Sequence, residues 1–120
     1  MKVLLIWPRG YEISYVIPLS LGYLKSNVDS KRHDVHLLDC SFHDIDGESK
    51  TFHDTLDRLN PDVVGVSSWA ATFVEAQTIF KNVKRTHPDI TTIIGGALVS
   101  AYPKIAIEEQ TIDFILRGEA

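Results

Sequence analysis

Apolar positions along this 120-residue chain gather into five short runs, and the segments between them repeat at helical spacing. Lys2–Trp7 (Lys-Val-Leu-Leu-Ile-Trp) is a continuous strand-like run ended by Pro8-Arg9-Gly10. Residues 34–40 read as a second strand. Val63, Val64 and Val66, after Pro61, form a β-branched third strand suited to burial on both faces. Residues 90–94 form a fourth, closed by Gly95-Gly96, and residues 112–116 a fifth. Between them, Leu21, Leu24 and Val28 mark a helix from Pro18 to about Ser30. Phe52, Leu56 and Leu59 mark a second, stopped by Asn60-Pro61. Phe73, Ala76, Phe80 and Val83, with Ile79 alongside, give a third its buried stripe, and residues 103–110 give a short fourth. Strand starts roughly 30 residues apart are those of successive βαβ units. Right-handed crossovers then favour a doubly wound, five-stranded parallel α/β sheet in the flavodoxin-like, Rossmann-like order 2-1-3-4-5.

That order puts a switch point between the first and third strands, where helices diverge to opposite faces and leave a crevice at the carboxyl edge. The third strand ends there in Ser67, Ser68 and Trp69, two hydroxyls and an indole that a sheet interior does not favour. Gly95-Gly96 closes the neighbouring strand. The stretch after Trp7, with Gly10 and Tyr11, is longer than a tight turn needs. Function is expected at these residues.

Composition narrows the ligand classes. Apolar residues at 44% and charged residues at 23% are ordinary for one globular domain, taken as residues 1–120. A net charge of -4 with no basic run beyond Lys31-Arg32 offers no field for nucleic acid. No cationic leader or long apolar segment precedes the first strand, so no membrane partner and a cytoplasmic location are expected. Cys40 is the single cysteine, which excludes an internal disulfide, a thiolate zinc site or an iron–sulfur cluster held by this chain alone. No metal ligand is assigned.

Familiar doubly wound sites fail at their own residues. A phosphoacceptor receiver needs paired acids after the first strand and an aspartate closing the third, where Trp7-Pro8-Arg9 and Ser67 stand. A flavin phosphate cradle would need more than Gly10 and Ser14, and neither a Gly-x-Gly-x-x-Gly nor a Walker loop occurs. A hydroxyl pair beside a glycine pair suits a bulky ligand tail threaded between strand ends. Glycines let it lie against the backbone, and Ser67 and Ser68 can hydrogen-bond a phosphate or a heteroaromatic nitrogen.

Four segments carry a family resemblance: Pro18-Leu19-Ser20-Leu21-Gly22-Tyr23-Leu24, Val64-Gly65-Val66-Ser67-Ser68, Ile94-Gly95-Gly96-Ala97, and Asp113-Phe114-Ile115-Leu116-Arg117-Gly118-Glu119. In order and spacing they resemble the cobalamin-binding domain at the N-terminus of class B radical S-adenosylmethionine enzymes. The resemblance implies base-off cobalamin, its nucleotide tail near the ends of the third and fourth strands. Ser67, Ser68, Trp69, Gly95, Gly96 and Ala97 would line the tail and lower corrin face, and Gly10 and Tyr11 would meet the ring rim. Gly118 and Glu119 would lead towards a radical S-adenosylmethionine barrel. In the longer parent that barrel would hold an iron–sulfur cluster and S-adenosylmethionine, and the corrin would serve methyl transfer or related chemistry. This chain lacks the three-cysteine cluster motif and is expected to bind cofactor without catalysing a reaction itself.

Other cobalamin domains place Asp-x-His-x-x-Gly after the first strand, its histidine on cobalt. Here Ser41-Phe42-His43-Asp44-Ile45-Asp46-Gly47 echoes it, but after the second strand, without the leading aspartate and with glycine one place late. A site without a histidine ligand is therefore expected, and His43 is read as a solvated loop residue. Trp69 either covers the lower face of cobalt or packs between helix and sheet. His33 and His36 point to opposite faces of a strand, and His53 and His87 are expected at the solvated surface. Cys40 reads as a small strand-end residue. Asp39 serves as a ligand contact or a cap. Two rivals remain open: a flavodoxin-like interaction or regulatory domain without cofactor, and an enzyme on small phosphorylated substrates with Glu12 or Asp39 as base.

Overall fold

Strands β1 (Lys2–Trp7), β2 (Asp34–Asp39), β3 (Val63–Ser67), β4 (Thr91–Gly95) and β5 (Phe114–Ile115) pair in parallel in the order β2-β1-β3-β4-β5. The structure is a computed structural model and describes residues 1–10 and 17–118. Helices α1 (Leu19–Ser26), α2 (Lys50–Leu59), α3 (Phe73–Thr86), α4 (Ala97–Ala101) and α5 (Lys104–Ile107) connect the strands, with a 3₁₀ turn at Ala70–Thr72 ahead of α3. This is the doubly wound, flavodoxin-like arrangement that the strand spacing implies.

Local chemistry sets the boundaries. Ser49 caps α2 by accepting the Phe52 amide at 3.2 Å, and Asn60 ends it in the left-handed region at φ 43°, directly before Pro61. Helix α1 stops at Ser26 rather than near Ser30. The Ser26 hydroxyl and the Asn27 amide both donate to the Tyr23 carbonyl, at 2.9 and 2.8 Å, and compete with continuation of the helix. Val28 therefore lies beyond the helix instead of on its buried stripe, and Pro18 is the cap rather than a first-turn residue. Helix α4 has no counterpart in the periodicity reading, because five residues are too few to display a period. The expected helix over 103–110 is regular only over Lys104–Ile107, and the fifth strand only over Phe114–Ile115.

The two faces of the sheet differ. Leu4, Ile6, Val64, Val66 and Ile94 pack with Phe52, Leu56, Ile79, Phe80 and Val83 of α2 and α3 into one buried core. Each large apolar side chain fully buried there stabilises the fold by about 1.5–3 kcal/mol. The odd-numbered positions Val3, Leu5, Val63 and Ile93 point the other way and are only partly buried. Right-handed crossovers explain this: α1 turns back from β1 to the edge strand β2, whereas the later connections run along the opposite face. The expectation that the third strand is buried on both faces is corrected accordingly. The face bearing α1 is half open.

Asp113 ties β5 down. Its carboxylate accepts from Lys84 Nζ at 2.7 Å and the Thr92 amide at 2.9 Å. Burial would raise its pKa, but the hydrogen bonds from Lys84 and Thr92 prevail and hold it below the usual carboxylate range. At the amino end, His87 is not the solvated residue expected, since its Nε2 lies 3.0 Å from Asp57 and its Nδ1 2.8 Å from the Thr86 hydroxyl. His53 is half-buried, edge-on against Phe52 with 5.7 Å between ring centroids. His33 precedes β2, and His36, within it, contacts Asp34 at 2.9 Å.

Candidate functional site

A groove of about 540 Å³ runs along the half-open face between α1 and the strands β1, β3 and β4. Its floor follows from register. Leu5 stands beside Gly65 and Gly65 beside Ile93, and one row up Ser67 stands beside Gly95. Three small residues, Gly65, Ser67 and Gly95, in two adjacent rows leave a depression at the carboxyl end. A Cβ on Gly65 would come within 2.9 Å of the Leu5 side chain, whereas one on Gly95 would meet only Leu116, at 3.8 Å. Leu21 and Leu24 of α1 form one wall, and Leu116 after β5 borders the other. The volume lies within the range of about 300–1,000 Å³ usual for small-molecule sites, and the lining is mostly apolar. The groove opens at the switch point between β1 and β3.

Ser67, Ser68 and Trp69 play different structural parts. Ser67 borders the groove and is half-buried. Ser68 is 1% exposed, its Oγ 3.3 Å from the Trp69 carbonyl and 3.4 Å from Thr72 Oγ1. The Thr72 hydroxyl also accepts the Trp69 amide at 3.1 Å, and the Thr72 amide donates to the Trp69 carbonyl at 3.1 Å. These bonds fix the main chain of Trp69 in an extended conformation, and its side chain is left 40% exposed at the carboxyl edge. Packing of Trp69 between helix and sheet is thereby corrected. The reason is the 3₁₀ turn, which inserts three residues between Trp69 and α3 and carries the indole past the sheet end.

Gly96 has a tighter constraint than its neighbour. With φ at 106°, it brings its α-carbon so close to β3 that a Cβ would stand 2.3 Å from the Ser68 carbonyl oxygen. Both glycines border the groove, and the second also accommodates the protein's own main chain.

Among the other expected site residues, Ala97 is exposed at the start of α4, and Gly118 is exposed at φ 76° with its amide donating to Ser100 Oγ at 2.9 Å. Gly10 borders a separate cavity of about 200 Å³ with Arg9, Asp46, Glu48, Glu75 and Thr78. There burial raises the Glu75 carboxyl pKa, opposed by the Gly47 amide that donates to it at 2.7 Å. Tyr11, Glu12 and Glu119 lie outside the described residues. Asp39 accepts the Phe42 amide at 3.0 Å, a turn-capping contact. His43 is exposed and edge-on to Phe42, with 5.0 Å between ring centroids. Among the described residues no group of three or more His, Cys, Asp or Glu is placed to hold a metal ion, and no helix is long and apolar enough to cross a membrane.

Cys40 is buried, and desolvation, with Glu75 and Asp39 adding like charge, pushes its thiol up to about 12. A buried thiol held this high stays protonated at neutral pH. Because the folded value lies above that of the unfolded chain, its contribution to stability is full below about pH 8.5 and is lost as pH rises towards 12. A disulfide-exchange reagent at pH 8 is expected to label Cys40 only at the rate of global unfolding; labelling at the rate of a free thiol would show the burial to be wrong.

Leu5, Gly65, Leu116 and the α1 residues Ser20, Tyr23 and Leu24 also border the groove, and chemistry-bearing residue types do not single them out. Three features could find them: the period of two that puts Leu5 and Gly65 on one face of neighbouring strands, the segment Pro18 to Leu24, and the segment holding Leu116.

A parallel sheet with an apolar groove opening at its switch point defines a doubly wound small-molecule-binding domain. Residues 14–120 match the B12 binding domain model, and the chain belongs to that family. An uncharacterized methyltransferase of Pyrococcus horikoshii is 31% identical over 129 residues, covering 99% of this chain and 27% of its own length. The anaerobic magnesium-protoporphyrin IX monomethyl ester cyclase of Rubrivivax gelatinosus is 29% identical over 114 residues, covering 94% of this chain and 19% of its own. In structure, the radical S-adenosylmethionine methyltransferase TsrM of Kitasatospora setae, with cobalamin and a 4Fe–4S cluster bound, superposes with a TM-score of 0.82 at 23% identity, over 98% of this chain and 23% of that one. The chain thus spans about a quarter or less of the length of these relatives. Family membership favours cofactor binding over the cofactor-free rival.

Proposed function

We propose that this domain holds cobalamin base-off and without a histidine on cobalt, the nucleotide tail in the groove beneath α1 and the corrin over the carboxyl edge of the sheet. The observation that carries the reading is the depression made by Gly65, Ser67 and Gly95, a cradle that larger side chains would fill, in a chain of the B12 binding domain family. A base lodged there is not free to coordinate the cobalt of its own molecule. Ser67 hydrogen-bonds the tail. Gly95 and Gly96 let it approach the main chain, and Ser68 supports the floor from behind. Trp69, held by Thr72, covers the lower face of the corrin, with Ala97 and Gly118 along the same edge and Gly10 at the ring rim. Bound cobalamin supplies cobalt–carbon chemistry; the residues of this chain bind, orient and exclude water.

No histidine occurs between Trp7 and α1, and His43 is exposed against Phe42, which supports the absence of an imidazole ligand. Residues 1–120 are proposed as one module of a longer cobalamin-dependent radical S-adenosylmethionine enzyme, such as a methyltransferase. A following barrel would hold the iron–sulfur cluster and S-adenosylmethionine. The small share of each relative's length that the chain covers supports this.

The test is to load the chain with hydroxocobalamin, reduce the cobalt to the divalent state and record its electron paramagnetic resonance. Retained corrin with no nitrogen superhyperfine splitting is expected, unchanged in His43→Ala. Splitting that His43→Ala removes would overturn the ligand assignment, and loss of all corrin from folded protein would overturn the whole reading.

A further inference from the structure

Resting on the cobalamin reading, we infer that this groove discriminates among corrinoids by their lower base, taking dimethylbenzimidazole in preference to adenine. Among the described residues no charged side chain lines the groove, and its walls include Leu21, Leu24, Ile93 and Leu116. Polar groups are few and largely committed. The Asn27 amide donates to the Tyr23 carbonyl at 2.8 Å, and Ser20 and Tyr23 are exposed at the rim of α1. Ser67 is left as the hydroxyl at the inner, carboxyl end, beside the gap at Gly95.

The two bases make different demands on such a lining. Beyond the nitrogen bonded to ribose, dimethylbenzimidazole presents a single ring nitrogen, which one hydroxyl can satisfy, and two methyl groups that gain from burial. Adenine presents several ring nitrogens and an exocyclic amine, and the leucine and isoleucine walls offer these no partners. A buried polar group without a hydrogen bond is costly, so the mismatch is expected to weaken binding by about tenfold or more, equivalent to about 1.4 kcal/mol.

Equilibrium dialysis of this chain, read by corrin absorbance, compares cobalamin, its adenine-based analogue and cobinamide, which lacks the base. Cobalamin is expected to bind at least about tenfold more tightly than either competitor. Leu116→Gln, at a partly exposed wall position, gives adenine a partner and is expected to narrow the gap about threefold or more. Equal affinity for the two base-bearing corrinoids, equal affinity for cobinamide, or a gap unmoved by Leu116→Gln would each overturn the inference while leaving corrinoid binding intact. Retention of no corrinoid by folded protein would instead overturn the cofactor reading, and this inference with it.

Discussion

Replacing Gly96 with alanine is expected to lower the stability of this domain by about 3 kcal/mol or more, a large part of the roughly 5–15 kcal/mol that holds a domain of this size together. Two independent costs combine. At φ 106° and ψ 179° the main chain occupies a region open essentially to glycine alone, worth about 1–3 kcal/mol of strain for any other residue. The added methyl would stand 2.3 Å from the Ser68 carbonyl oxygen and 2.8 Å from the Ser68 amide nitrogen, so β3 and the start of α4 must separate. A flexible side chain could swing aside. Main chain tied to the neighbouring strand by the hydrogen bond from the Ser68 amide to the Gly95 carbonyl cannot. Thermal unfolding followed by circular dichroism should show the midpoint falling by about 10 °C or more. A shift within about 2 °C would show that the close approach of Gly96 to Ser68 does not hold in solution.

The companion substitution, Gly95→Leu, is expected to do the opposite: leave the fold standing and abolish corrinoid binding. Gly95 is outside the left-handed region, and its Cβ position meets Leu116 at no less than 3.8 Å, an ordinary contact. A strand position gains from losing glycine, so stability should hold or rise by up to about 1 kcal/mol. The leucine side chain, however, projects into the depression between Ser67 and Leu116, where the tail is proposed to lie. Retained corrin absorbance after gel filtration should fall at least about 30-fold, roughly the 2 kcal/mol typical of losing a well-packed contact, with the unfolding midpoint within a few degrees of the parent. Gly95→Ala should lie between. Undiminished corrin binding in folded Gly95→Leu would move the tail out of this groove.

The pair separates two roles that one dipeptide conceals. Gly-Gly at the end of a strand reads as space for a ligand, and alternation along β4 places Gly95 on the groove face. Nothing in the sequence shows that Gly96 is spent on an internal contact, because its neighbour, Ser68, is 28 residues away. Ser67 and Ser68 divide in the same way: alternation along β3 turns one to the groove, and the hydroxyl of the other joins Thr72. The exposure of Trp69 depends on a turn of three residues, too short to leave a period in the sequence.

What the sequence determined by itself was the number and order of the strands, the switch point and the segments that carry the family resemblance. These rest on β-branched runs, breakers and crossover handedness, which are local or topological. The tertiary structure alone decided which of two adjacent glycines is committed to an internal contact, and that one face of the sheet is left half bare. Both depend on pairing between segments far apart in the chain, where a missing Cβ acquires meaning only from the atom that stands opposite it.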